Sequence, residues 1–272
     1  MLTHARSILE HRELIYALAW KNVSLRYKQA YLGIAWAVIK PLMLMAIFSV
    51  LRAFVSIDSG DVPYAVLAFA AILPWTLFQE SATEGVNSIV GNAHLIRKIY
   101  FPREVFPLTA AVTKLIEFGI NFLVLLLMMA WFGLFPKAQA LWVPAIVVYA
   151  VLAAWVIGFA GAALNVYYRD VSAALPVLMS LLMYVSPIIY PMPLVKQKLV
   201  VERAAGDWSQ ALYLLYTSNP VAGIVDSFQR VMLKGLTPDF MVVAPGLIVT
   251  LVVLPLSYAV FKRTEARFAD VI

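Results

Sequence analysis

The chain has 272 residues, of which 63% are hydrophobic and 13% charged; soluble domains run at about 45–50% apolar and about 25% charged, so this much apolar surface cannot be hidden in one soluble core. It contains no cysteine, which excludes disulfide, zinc-thiolate and thiol chemistry. The net charge of +6 is small for nucleic-acid binding and is better explained by where Lys and Arg sit around membrane segments.

Residues 1–32 alternate charged and apolar positions and lack both a continuous apolar run and a small-residue cleavage site, so they are expected to stay in the mature protein. Within them, Leu14 to Gln29 sets Leu14, Ala17, Leu18, Val23 and Leu25 among Arg12, Lys21, Arg26 and Lys28. That pattern predicts a basic amphipathic helix along an anionic membrane face, with Tyr16, Trp20 and Tyr27 as interface anchors; the alternative is a solvated connecting helix.

Six stretches then read as helices of about 20 apolar residues, long enough to cross a hydrocarbon core of about 30 Å. They are 33–53, 63–86, 107–132, 141–166, 172–190 and 240–261. The expected fold is an all-α polytopic membrane protein of one domain: an interfacial helix in 1–32, six spans in 33–261 and a tail in 262–272. An even count puts both ends on one side. That side takes Arg6, Arg12, Lys21, Arg26, Lys28, Lys40, Arg97, Lys98, Arg103, Arg169, Lys262, Arg263 and Arg267, against Lys137 alone in the two short loops opposite. Both termini are therefore expected in the cytoplasm. The loop from 191 to 239 is longer and carries apolar patches at Trp208–Tyr216 and Val221–Leu233, the second opening after Asn219-Pro220 like a capped helix. They read as short helices dipping back toward the outer face, or as a small outer lid.

No Gly-x-x-x-x-Gly-Lys-Ser/Thr loop is present, so any ATP is bound by another chain. No metal-ligand pattern is found either, since His4, His11 and His94 are isolated. No catalytic residue is assigned. Inside the predicted membrane, Lys114 and Glu117 share a helix face, and Glu80 and Glu84 come to similar depth from the preceding, oppositely running span. Unpaired ions there would cost about 2.5–3.5 kcal/mol each, so a structural pair of Lys114 with Glu80 or Glu84 is expected; an ion relay and snorkelling are the alternatives. Arg169 and Asp170 are read as a second structural pair, with Asp170 capping the fifth span.

Between the second and third spans, Leu95-Ile96-Arg97-Lys98-Ile99-Tyr100-Phe101-Pro102-Arg103-Glu104 forms a short basic-aromatic element. Such an element suits a membrane domain that receives force from a soluble motor; the alternative is that its basic residues only fix topology. At the outer end of the fifth span, Ser186-Pro187 and Pro191 interrupt the helix, and the freed carbonyls must face protein or water. Trp36, Tyr184 and Tyr190 are the aromatic residues expected to line the pathway, with Tyr184 and Tyr190 on either side of this break, since sugar C–H faces pack on aromatic rings; an ordinary interface belt explains most of the others.

Taken with Leu25-Arg26-Tyr27-Lys28, Tyr31-Leu32-Gly33, Trp36 and Pro41-Leu42, the run Ile96 to Arg103 resembles the membrane subunits of polysaccharide ABC exporters, which carry O-antigen, capsule and teichoic-acid chains. Tyr168-Arg169-Asp170, Ser186-Pro187-Ile188-Ile189-Tyr190-Pro191, Asn219-Pro220 and Phe268-Ala269-Asp270 fit the same family. The resemblance implies a homodimer in a bacterial inner membrane and two copies of an ATP-binding subunit that hold ATP and Mg²⁺ and dock on the 96–104 loop. It also implies a lipid-linked glycan as cargo, moving between the two copies. Rival readings are an ABC exporter of drugs or small lipids, and a membrane-embedded glycan-modifying enzyme.

Overall fold

The computed structural model describes residues 12–28, 33, 35–55, 62–97, 102–201 and 207–271. Among these the regular structure is entirely helical. In chain order the helices are α1 (Arg12–Lys28), α2 (Ala35–Val55), α3 (Tyr64–Gly91), the short α4 (Ala93–Ile96), α5 (Val105–Trp131), α6 (Val143–Asn165) and α7 (Asp170–Val185). They continue with α8 (Met192–Lys196), α9 (Asp207–Thr217), α10 (Pro220–Gln229), α11 (Phe240–Glu265) and α12 (Phe268–Val271).

Among the described residues, five segments are long and apolar enough to cross a bilayer: Ala35–Arg52, Tyr64–Gly91, Val105–Trp131, Ala138–Asn165 and Phe240–Glu265. The expected fifth span over 172–190 differs. Its helix α7 has 16 residues, about 24 Å at 1.5 Å per residue, which is short of a full crossing. The chain turns at Ser186, held extended at φ −96° and ψ 156°, because a following proline disfavours helical backbone in the residue before it.

The bundle is built around α3. Of its most apolar window 78% is buried, against 17–39% for the other four. Small residues let α6 approach it closely: a Cβ added to Gly85 would sit 3.0 Å from the Gly158 Cα, and one on Gly161 would meet Val86 Cγ2 at 2.4 Å. Asn165 pins the same ends together, its Nδ2 donating to the Val86 carbonyl at 3.3 Å and to Asn87 Oδ1 at 3.2 Å. On its other faces α3 packs against α2, α5, α7 and α10.

The apolar patch predicted to open at Asn219-Pro220 is α10. Asn219 accepts a hydrogen bond from the Val221 N–H at 3.0 Å, Pro220 takes the first helical position, and the helix ends in a wider turn, Arg230–Lys234. Gly235 closes it at φ +61°, a left-handed backbone that glycine adopts without strain. Every residue from Val221 to Gln229 is buried, and α10 packs against α3, α6 and α11.

Candidate functional site

Three places gather polar side chains. The first is a cavity of about 560 Å³ between α2, α3 and α5, lined by Trp36 and Lys40, by Thr76, Gln79, Glu80, Thr83 and Glu84, and by Lys114, Glu117, Phe118 and Asn121. Lys114, 2% exposed, lies at its floor. Its Nζ reaches Glu117 Oε2 at 2.8 Å and Glu84 Oε1 at 3.1 Å and also contacts Glu80. One ammonium thus offers its three N–H donors to carboxylates on two helices. One turn on, Asn121 Nδ2 donates to the carbonyls of Ala37 and Glu117, both at 3.0 Å, and so holds α2 against α5.

The second place is the junction at the start of α5. Glu104 is fully buried there and meets Lys262 at 2.7 Å and the Tyr258 hydroxyl at 3.3 Å. Arg103 donates its backbone N–H to Glu265 Oε1 at 3.1 Å, and its guanidinium stands 5.9 Å from the centre of the Phe268 ring. Leu95 and Ile96 belong to α4 on the way in, Ile96 buried and Arg97 exposed, and Pro102 is half-buried. Lys98, Ile99, Tyr100 and Phe101 lie outside the described residues.

At the opposite end of the bundle, the break after α7 is tied down. The Ser186 hydroxyl donates to the Leu182 carbonyl at 2.6 Å and accepts from Asn219 Nδ2 at 2.8 Å. Tyr64 donates to the Ile189 carbonyl at 2.9 Å, and Tyr190 to the Tyr184 carbonyl at 3.1 Å. Ser186 and Pro187 are buried, while Tyr184 is 60% exposed. Close by, Asp226 on α10 is 6% exposed, and its Oδ2 has no hydrogen-bond partner among the described residues. Burial pushes its carboxyl up to about 6, a rise opposed by Arg230 and Lys234 and reinforced by Asp239.

Residues 13–201 match the ABC-2 type transporter family. The chain belongs to that family. Along nearly its whole length this ABC-2 transporter chain is similar to proteins named O-antigen export system permease protein RfbA. The one from Myxococcus xanthus is 23% identical over 271 residues, 99% of each chain. Two from Klebsiella pneumoniae are 26% identical over 265 residues, covering 96% of this chain and 95% of theirs.

Within this ABC-2 chain, the residues singled out from sequence fall into the three places unevenly. Glu80, Glu84, Lys114 and Glu117 come together, and Trp36 lines the same cavity, whereas Tyr184 and Tyr190 flank the break after α7. Arg169 and Asp170 are both exposed. The residue preceding α7 is Arg169, which makes no side-chain cap, so Asp170 sits in the first helical turn and does not cap it; a carboxylate there still faces the positive end of the helix. Two features of these places have no counterpart in the sequence reading, one a partnership and the other a buried acid. The link from Glu104 to Tyr258 and Lys262 spans more than 150 residues and has no local pattern. Asp226 does carry a local signal, being the one acid in an apolar run.

Proposed function

We propose that this chain is the membrane subunit of an ATP-driven exporter that moves a lipid-linked polysaccharide of the O-antigen class across a bacterial inner membrane. Near-full-length similarity to permeases named for O-antigen export carries this reading. Two copies form the pathway, both termini are cytoplasmic, and the energy comes from two copies of a separate ATPase that binds ATP and Mg²⁺. Residues 95–104 receive that subunit. The basic residues Arg97, Arg103, Lys262 and Arg263 fall at one end of the bundle, the end a positive-inside rule assigns to the cytoplasm. The chain itself performs no covalent chemistry. Trp36 and the outer break at Tyr184, Ser186, Pro187 and Tyr190 belong to the path of the sugars, whose C–H faces suit aromatic rings and whose hydroxyls suit the polar edges beside them.

Purification of the chain with its P-loop ATPase, followed by extraction and mass analysis of the bound lipid, tests the reading. A polyprenyl-linked glycan supports it. A drug-like molecule or plain phospholipid in its place favours the small-molecule exporter, and a chemically altered glycan favours the enzyme.

A further inference from the structure

A fully buried carboxylate is costly unless charge and hydrogen bonds compensate it. Glu104 stands at the head of α5, yet the compensation it receives comes from the far end of the chain. Lys262 lies 2.7 Å from its Oε2, and the Tyr258 hydroxyl donates to its Oε1 at 3.3 Å. The same Lys262 contacts Glu265. Glu265 in turn accepts the Arg103 backbone N–H through its side chain and the Arg103 guanidinium through its carbonyl. Two consecutive residues of the loop before α5 are therefore gripped by the last two turns of α11, with Phe268 of α12 under the Arg103 guanidinium.

The grip does not end at the surface. Phe268 meets Phe261 edge to face at 5.4 Å, Phe261 meets Phe159 at 5.4 Å, Phe159 meets Tyr258 at 5.4 Å and Trp155 at 6.4 Å. Phe159, Phe261 and Phe268 are almost wholly buried. Close-packed interiors transmit displacement instead of absorbing it. A contiguous packed row from the loop through α12 and α11 into α6 is the kind of physical network that carries coupling between distant sites.

We propose that Lys262 is the positioning residue that makes the segment 102–104 and the end of α11 one moving part, so that force on the loop reaches α11 and α6 as well as α5. The inference rests on the reading of residues 95–104 as the ATPase-docking loop. Lys262 is the pin because, among the described residues, it is the cation whose side chain contacts both carboxylates, Glu104 from the loop and Glu265 from α11.

The test uses the full chain reconstituted with its ATPase in proteoliposomes, with glycan exported per ATP hydrolysed as the readout. Lys262→Arg keeps a cation between the carboxylates and is expected to hold that ratio near the parent value. Lys262→Met is expected to lower it about tenfold, within the range of coupling between linked sites, while hydrolysis continues. A structural role alone would lower the folded fraction and leave the ratio of the folded protein unchanged. In this cysteine-free chain, the pair Glu104→Cys/Lys262→Cys should behave like Lys262→Met until a short bis-maleimide bridges the two thiols, and bridging should restore the ratio. Unchanged coupling in Lys262→Met, or a bridged pair that stays uncoupled, overturns the proposal. If the parent protein hydrolyses ATP but exports no glycan, the export reading fails. The pin is then judged by ATP-dependent thiol labelling at Arg263→Cys, which needs no cargo: a change in rate that Lys262→Met abolishes supports it, and one that survives refutes it.

Discussion

Lys114 Nζ stands 2.8 Å from Glu117 on its own helix and 3.1 Å from Glu84 on the neighbouring one, which makes a single buried ammonium the joint between α5 and α3. Lys114→Met would leave three carboxylates to repel one another beside a cavity. Removing one partner of a buried ion pair costs about 3–5 kcal/mol, and the partial exposure of Glu80 and Glu84, 29% and 26%, points to the lower end. The folded fraction in detergent should drop accordingly. Adding Glu80→Gln, Glu84→Gln and Glu117→Gln to Lys114→Met should recover much of the loss, and melting curves of the two variants check both statements.

The contact between α3 and α6 depends on missing side chains. Gly85→Ala places a methyl 3.0 Å from the backbone of Gly158, which has no flexible end to yield. Forcing atoms into a packed interior costs about 1–3 kcal/mol. Gly91→Ala, with nothing within 4 Å of the new Cβ, should leave the melting temperature at or above that of the parent, since alanine is the better helix former.

Asp226 gives the fold a pH dependence whose sign can be worked out. Folded, it keeps its proton up to about pH 6; unfolded, it releases it near the ordinary value of 3.8. Between those values the native state binds more protons, so this residue's contribution to stability falls as pH rises through the window. A shift of about two units corresponds to on the order of 3 kcal/mol. Asp226→Asn should therefore be the more stable protein at pH 8, and its advantage should disappear below about pH 4. Thermal unfolding of both proteins across that range is the check.

Much of this architecture is legible in the sequence because a bilayer tolerates so few solutions. Runs such as Val105–Trp131 and Phe240–Glu265 announce themselves by length and composition, and Asn219-Pro220 announces the start of α10. The apolar pattern of the fifth span runs on past Ser186, while its helix stops at Val185 because the backbone obeys Pro187. In the same way Lys114 and Glu117 are visible as neighbours at a spacing of three. Lys262 and Glu104 are invisible as partners, because only the packing of α11 against the head of α5 brings them together. Trp36, Tyr184 and Tyr190 share a chemistry that the sequence shows, while their places, one in the Lys114 cavity and two at the break after α7, come only from the packing.

The outer break makes a prediction of its own in a chain without native cysteine. Tyr184→Cys lies on an exposed surface and should react readily with a water-soluble thiol reagent when ATP is being hydrolysed and the path is open. Ser186→Cys, buried under the Asn219 amide, should react far more slowly in the resting protein. Mass spectrometry of the labelled chain reads both rates. Equal, slow labelling at the two positions would place the break against lipid or packed protein and remove it from the path.

Export of a lipid-linked glycan is tested most directly by depleting this chain in the cell that makes it and measuring where the glycan goes. The account predicts that surface glycan falls while the same glycan, complete and still attached to its lipid carrier, accumulates on the inner face of the membrane, and that Lys262→Met restores export only weakly where Lys262→Arg restores it fully. Undiminished surface glycan after depletion, or loss of surface glycan with no lipid-linked intermediate accumulating inside, would contradict it.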